Sequence, residues 1–101
     1  NQVKAAIIDG LSDGAVTEKS VAESLFTTPR NLHRKLQKEE TSFKILLTEI
    51  RKELAIQYIQ SIIKTLTENS FLLGFSEVSS FSRAFKNWTG KTPRDARQDV
   101  A

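Results

Sequence analysis

Between Ser42 and Ile62 the chain runs SFKILLTEIRKELAIQYIQSI, with neither proline nor glycine. Phe43, Leu46, Leu47, Ile50, Leu54, Tyr58 and Ile62 recur at the i, i+3, i+4, i+7 spacing of one stripe on an α-helix. Lys44, Glu49, Arg51, Lys52, Glu53 and Gln57 occupy the other face, and Ser42 is a suitable N-cap. At ~1.5 Å per residue this run makes a rod roughly 30 Å long. The sequence on either side of it reads as two versions of one unit.

The first version has Thr17, then Ala22, Leu25 and the run Leu32-His33-Arg34-Lys35-Leu36. The second has Thr65, then Ser70, Leu73 and Phe81-Ser82-Arg83-Ala84-Phe85. Cap, small residue and apolar residue keep their spacing, and both later helices carry apolar-x-Arg-x-apolar. A small residue within a helix, a short turn and a second helix with a polar outer face describe a helix-turn-helix. Local signals support each piece. Thr17 caps a helix through Leu25, and Thr28-Pro29 starts another that runs to about Glu39 with Leu32 and Leu36 inward. Thr65-Leu66-Thr67-Glu68 matches a capping box, and Gly74 suits a left-handed position after the helix. Ser76 is expected to cap a helix over 77–88, Gly90 ends it, and Thr92-Pro93 opens a last helix to about Gln98. A short helix over 3–11, stopped by Ser12-Asp13-Gly14, precedes all of this. The expected fold is all-α: about seven helices forming two helix-turn-helix subdomains, over residues 17–39 and 65–89, joined by a long linker helix over 42–62.

Composition narrows the function. The chain has 101 residues, 39% hydrophobic and 27% charged, with net charge +3, which permits an anionic partner without demanding one. It has no cysteine, so disulfides and thiolate chemistry are excluded. No apolar run approaches the roughly 18 residues of a membrane span. The single histidine, His33, has no second histidine or cysteine to join it in a metal site. Glu39-Glu40 and Glu49/Glu53 are carboxylate pairs on Lys/Arg-rich helix ends or faces, and no nucleophile–His–acid trio stands out. No catalysis and no cofactor are expected. Because the first residue is Asn, an unseen domain upstream of this chain is expected.

In a helix-turn-helix the second helix enters the major groove. The first such helix presents Arg30, Asn31, His33, Arg34 and Lys38; arginine suits guanine, asparagine suits adenine, and histidine donates or accepts. The second presents Glu77, Val78, Ser79, Ser82, Arg83, Lys86 and Asn87, a poorer set of base readers. Thr28, Lys38, Lys86 and Arg97 are the candidates for phosphate contact. Lys35, Lys44, Arg51, Lys52, Lys91 and Arg94 divide between solvated face and phosphate contact. Arg34 and Arg83 have a plainer alternative, as surface salt-bridge residues. Phe43, Phe71, Phe75, Phe81, Phe85 and Trp88 are expected in the core. A rod of roughly 30 Å would hold two readers near the ~34 Å separation of successive major-groove segments.

The run LLGFSEVSSFSRAFKNWTGKTP resembles the signature of AraC/XylS-type transcription regulators, as does VAESLFTTPRNLHRKLQKEETSFKILLTEIRKELA. Gly74-Phe75, Ser80-Phe81, Arg83, Phe85-Lys86, Trp88, Gly90 and Pro93 sit in register, and the likeness covers about residues 3–97. It implies sequence-specific binding of double-stranded DNA by a transcription regulator, an activator in the cytoplasm of a bacterium, on the nucleoid when bound, with RNA polymerase as a partner. It implies that Arg30, His33 and Arg34 face bases from the first reading helix, and Val78, Ser79, Ser82 and Arg83 from the second. The rival reading is a helical protein-interaction module without specific DNA binding. Three positions depart from the family pattern. Asn69-Ser70 stands where Ile-Ala is usual, Glu40 where Gly is frequent, and Ala96-Arg97 where Tyr-Arg is common.

Overall fold

The computed structural model describes residues 2–11, 16–60 and 65–100, with side chains as far as residue 98. Among the described residues there are seven helices and no strand: α1 (Gln2–Leu11), α2 (Glu18–Ser24), α3 (Pro29–Lys38), α4 (Phe43–Gln60), α5 (Leu66–Leu72), α6 (Val78–Thr89) and α7 (Pro93–Val100). The expected stop at Ser12-Asp13-Gly14 and the rod's last positions, Ser61 and Ile62, lie outside the described residues. The molecule is elongated, 44 × 25 × 21 Å.

Helix starts follow the capping chemistry of the sequence. Thr17 Oγ1 accepts from the Ser20 N–H at 3.0 Å, and Ser20 Oγ accepts from the Thr17 N–H at 2.9 Å. Thr65 and Glu68 form the same reciprocal box, with the Glu68 N–H donating to Thr65 Oγ1 at 3.1 Å. Thr28, Ser42 and Thr92 each accept from the backbone N–H three residues on, at 3.2 Å. Ser76 does not cap α6. That helix starts at Val78 behind Glu77, which makes no side-chain capping bond; instead Ser79 Oγ donates to Glu77 Oε2 at 3.3 Å.

Two cores form. Val3, Ile7, Leu11, Val21, Ala22, Leu32 and Leu36 close on Leu46 and Ile50 of α4. Leu73, Phe81 and Phe85 close on Ala55 and Ile59 of the same helix, with Phe75 and Trp88 packed alongside. The rod therefore does not bury one continuous stripe. At about 100° per residue, Leu46/Ile50 and Ala55/Ile59 point about 180° apart. Tyr58 and Leu54, expected on the buried stripe, are only half-buried. Phe71 is also not a core residue: it is 50% exposed. The buried face of α5 runs through Asn69, Ser70 and the adjoining Leu73. Phe71 lies about 150° round the helix from the middle of that face.

The two turns between paired helices are near copies. After the C-cap Leu25, Phe26 has φ 57°; after the C-cap Leu73, Gly74 has φ 85°. The Thr27 N–H donates to the Ala22 carbonyl at 2.9 Å, and the Phe75 N–H to the Ser70 carbonyl at 3.0 Å. Phe26 thus adopts a left-handed conformation that its counterpart meets with glycine, at a cost of about 1 kcal/mol. Glu40, at the frequent glycine position, is left-handed as well, with φ 58°.

Asn69 occupies the place in its unit that Val21 occupies in the first, four residues after the capping threonine. It is 0% exposed, and neither its Oδ1 nor its Nδ2 has a hydrogen-bond partner. Ser70 escapes that penalty by donating to the Thr67 carbonyl at 2.7 Å. An unpaired buried amide costs about 1–3 kcal/mol. Replacing Asn69 by Val, as the first unit has it, is therefore expected to stabilise the chain by about 1–3 kcal/mol, read from the shift in urea midpoint. Phe26→Gly should add about 1 kcal/mol by removing the left-handed strain. An unchanged midpoint for Asn69→Val would mean that the amide is paired in solution.

Candidate nucleic-acid interface

Helices α3 and α6 each hold two apolar residues one turn apart in a core: Leu32 and Leu36 in one, Phe81 and Phe85 in the other. Everything else on these helices is arranged around those anchors. Arg34 and Arg83 each follow the first anchor by two residues, which turns them about 200° from it, away from the core. Both are exposed. Arg30, Asn31, His33, Lys38, Ser79 and Lys86 are exposed too, while Val78 and Ser82 are half-buried at the flanks of their helix. In register, Ser79 occupies the place of Arg30 and Ser82 the place of His33. The second helix thus keeps one of the first helix's two arginines.

Charge on this surface is left uncompensated. Among the described residues, Arg30, Arg34, Lys38, Arg83 and Lys86 have no ion-pair partner. The salt-bridge alternative for Arg34 and Arg83 thus finds no carboxylate. His33 Nδ1 lies 3.8 Å from Glu18 Oε1, at the start of α2. Thr28 is exposed at the N-terminus of α3, where its Oγ1 accepts from the Asn31 N–H and its own proton remains to be donated. The N-terminus of α6 instead carries the exposed Glu77 carboxylate.

Two arginines depart from what their positions in the sequence suggest. Arg97 on α7 is half-buried; its Nε donates to the Ile59 carbonyl at 3.4 Å and its Nη2 to the Tyr58 carbonyl at 3.3 Å. Its guanidinium is thereby engaged with late carbonyls of α4, rather than simply projecting to a phosphate. Arg51, assigned to the polar face of the rod, is drawn inward. Its Nε donates to the Leu73 carbonyl at 2.9 Å, and its Cζ lies 4.7 Å from the centre of the Phe75 ring. Loss of solvent lowers the pKa of this guanidinium from its ordinary value, though arginine keeps its charge at any physiological pH. The sequence held a signal for it: Arg51, Ala55 and Ile59 stand at i, i+4 and i+8, on the face that the second core uses.

Two hollows among the described residues are lined mainly by apolar and small polar groups. A groove of about 440 Å³ lies between α1 and the end of α2, lined by Ala5, Ala6, Asp9, Ser24 and Leu25, with Phe26 at its rim. A recess of about 170 Å³ opens at Ala96, between Ile56, Ile59, Phe85 and Thr89, at the place where the family pattern carries an aromatic ring. Among the described residues no group of three His, Cys, Asp or Glu could hold a metal ion, and no helix is long and apolar enough to cross a membrane.

Residues 21–99 match a family model described as a helix-turn-helix domain. The ornithine utilization regulator of Pseudomonas aeruginosa is 41% identical over 80 residues, covering 79% of this chain and 24% of that protein. Among solved structures, the C-terminal domain of AraT, a response regulator from Geobacillus stearothermophilus, superposes with a TM-score of 0.83 at 33% identity, covering 96% of this chain and 81% of that one. A DNA-binding transcriptional dual regulator from Escherichia coli K-12 gives a TM-score of 0.82 at 28% identity, covering 97% and 91%. The chain spans about a quarter of the length of the first curated relatives it matches, 24% and 23%.

Exposure and pairing separate the arginines into two groups with different expected behaviour. Arg34→Ala and Arg83→Ala should leave stability within about 0.5 kcal/mol of the wild type. Arg97→Ala should lower it by about 1 kcal/mol, because it strips partners from half-buried carbonyls. Urea unfolding of the three variants checks the division.

Proposed function

This chain belongs to the AraC-type helix-turn-helix family of transcription regulators, and from that premise we propose that it binds one specific duplex DNA site with two reading helices. Helix α3 enters one major-groove segment and α6 the next. Arg30, Asn31, His33 and Arg34 read base edges from α3; Val78, Ser79, Ser82 and Arg83 contribute from α6. Thr28, Lys38 and Lys86 hold phosphates. Arg97 was expected in that group as well, and we assign it instead to bracing the end of α4, through its bonds to the Tyr58 and Ile59 carbonyls.

The observation that carries this reading is the pair of exposed, unpartnered arginines at matched positions of two helices in a 44 Å long molecule. A cation on a protein surface ordinarily finds a carboxylate or simply faces water. Two that recur in register, each beside a lysine on an otherwise polar face, suit a polyanion of regular pitch. The length leaves room for readers about 34 Å apart. Discrimination is assigned mainly to α3, since α6 carries serine where α3 has Arg30 and His33, and Glu77 opposes phosphate at its start.

Sequence-specific regulation of transcription, and not catalysis, is the proposed activity. The wider reading is a cytoplasmic bacterial activator that meets RNA polymerase beside its site, with an effector-binding or dimerisation domain elsewhere in the protein. The support for this wider part is the family and the greater length of the relatives.

Fluorescence anisotropy on a duplex recovered by selection from random DNA tests the proposal. The logarithm of the affinity should fall linearly with the logarithm of salt, at a slope near −0.9 for each phosphate neutralised. Arg34→Ala should cost about 1–3 kcal/mol on the selected site and relax the preference at one base pair. Lys38→Ala should weaken all duplexes alike and reduce the slope by about 1. Failure to recover any preferred sequence, together with a flat salt response, would assign the exposed helices to a protein partner instead.

A further inference from the structure

The two cores lie on opposite faces of α4, which sets the units built on its ends about 180° apart round the rod. A contact elsewhere ties them together. Leu11, at the end of α1, belongs to the first core; Leu73 and Phe75, flanking the turn of the second unit, belong to the second. Gly74 lies between them. A Cβ on Gly74 would come within 2.8 Å of the Leu11 carbonyl oxygen and 3.1 Å of Arg51 Nη2. The turn is therefore pressed directly onto the backbone of α1, closer than any side chain allows. Arg51 completes the joint from α4, with its Nε–H on the Leu73 carbonyl at 2.9 Å and its guanidinium over the Phe75 ring at 4.7 Å. Phe75 in turn packs on Phe81 of α6, with ring centres 5.7 Å apart.

We infer that Arg51 is a positioning residue that clamps the turn of the second helix-turn-helix between α1 and α4, and so sets the spacing and phase at which α6 meets DNA relative to α3. The inference rests on the two-reader function proposed above and assigns the source of its geometry. The joint is peculiar to the second unit. Phe26, the counterpart of Gly74, is 99% exposed, and in the register that pairs Thr17 with Thr65 the place of Arg51 is taken by the apolar Val3. A guanidinium suits the task because it is planar: it donates in its own plane while its face lies on a ring, which an ammonium cannot do. Docking of the second reader after the first is intramolecular, and its effective concentration is greatest when the relative geometry is already held.

The decisive substitution is Arg51→Lys, which keeps the charge and the stem but loses the planar contact. Binding is measured on duplexes with both half-sites at the selected spacing, with the spacing changed by two base pairs, and with one half-site alone. The wild type is expected to lose about tenfold in affinity when the spacing changes. Arg51→Lys is expected to lose most of that discrimination while binding the single half-site as the wild type does. A variant that still discriminates fully overturns the clamp. Phe75→Leu, which removes the ring beneath the guanidinium, should act in the same direction and stands in if the lysine variant does not fold.

A second readout uses no DNA. The chain lacks cysteine, so spin labels attach only at Gln37→Cys on α3 and Asn87→Cys on α6. The distance distribution between them should be narrow with Arg51 and broad with Arg51→Lys; equal widths overturn the clamp. Indifference of the wild type to spacing overturns the two-reader function instead, and is told apart because the label distances still broaden on substitution.

Discussion

The architecture depends on how α4 divides its surface. Its first half gives Leu46 and Ile50 to one core, and its second half gives Ala55 and Ile59 to another on the far side. Each core is then local. The first is closed by α1, α2 and α3, the second by α5 and α6, and each paired unit leans on its own stretch of rod. Neither would have a sufficient apolar surface without that stretch, because two short helices bury only one stripe each. Shared use of one helix is what makes two small units into a single molecule. It also explains the elongated shape, since two cores placed side by side along a rod cannot merge into a sphere.

Within this plan the two units differ, and the differences show where each position is constrained. At the turn after the first helix of each pair, both units take the same left-handed step. Glycine holds that step in the second unit, where a neighbouring carbonyl leaves no space for a side chain. Phenylalanine holds it in the first, where the side chain stands in solvent and only the backbone is strained. Crowding, rather than φ alone, decides where the glycine is indispensable. The buried position four residues after each capping threonine has diverged the other way, with valine in one unit and an unpaired asparagine in the other. The second unit therefore carries a polar liability in its core, beside a helix with serine where the first has Arg30 and His33.

Much of this was legible in the chain because the signals are local. Caps at Thr17, Thr28, Ser42, Thr65 and Thr92 depend on groups three residues apart, and the anchors Leu32/Leu36 and Phe81/Phe85 depend on a single helical turn. From those the exposed face of each reading helix follows, and so the sequence already indicated Arg34 and Arg83. What escaped depends on contacts between distant segments. One periodic stripe fits the whole rod in the sequence, although the buried face changes sides where the cores change over, so Ala55 and Ile59 fall outside it. The size of Phe71 points it inward, but the face of α5 is chosen by its neighbours. Arg51 shares its register with Ala55 and Ile59, but nothing within a few residues of it reveals Leu73 and Phe75 as its partners, so by sequence it falls among the cations divided between solvated face and phosphate contact. The same holds for Arg97 and the carbonyls of Tyr58 and Ile59, which lie nearly forty positions earlier.

A helix that feeds opposite sides at its two ends is intolerant of changes in its own length. Adding one residue between Ile50 and Ala55 would swing everything downstream by about 100° while advancing it only ~1.5 Å. The apolar pair would leave its core, and α6 would be carried away from its place relative to α3. Deletions would do the same in reverse. Under the proposed two-reader function, variation in half-site spacing must therefore enter through the loops or through the joint at Gly74, while the rod itself keeps a fixed count of residues.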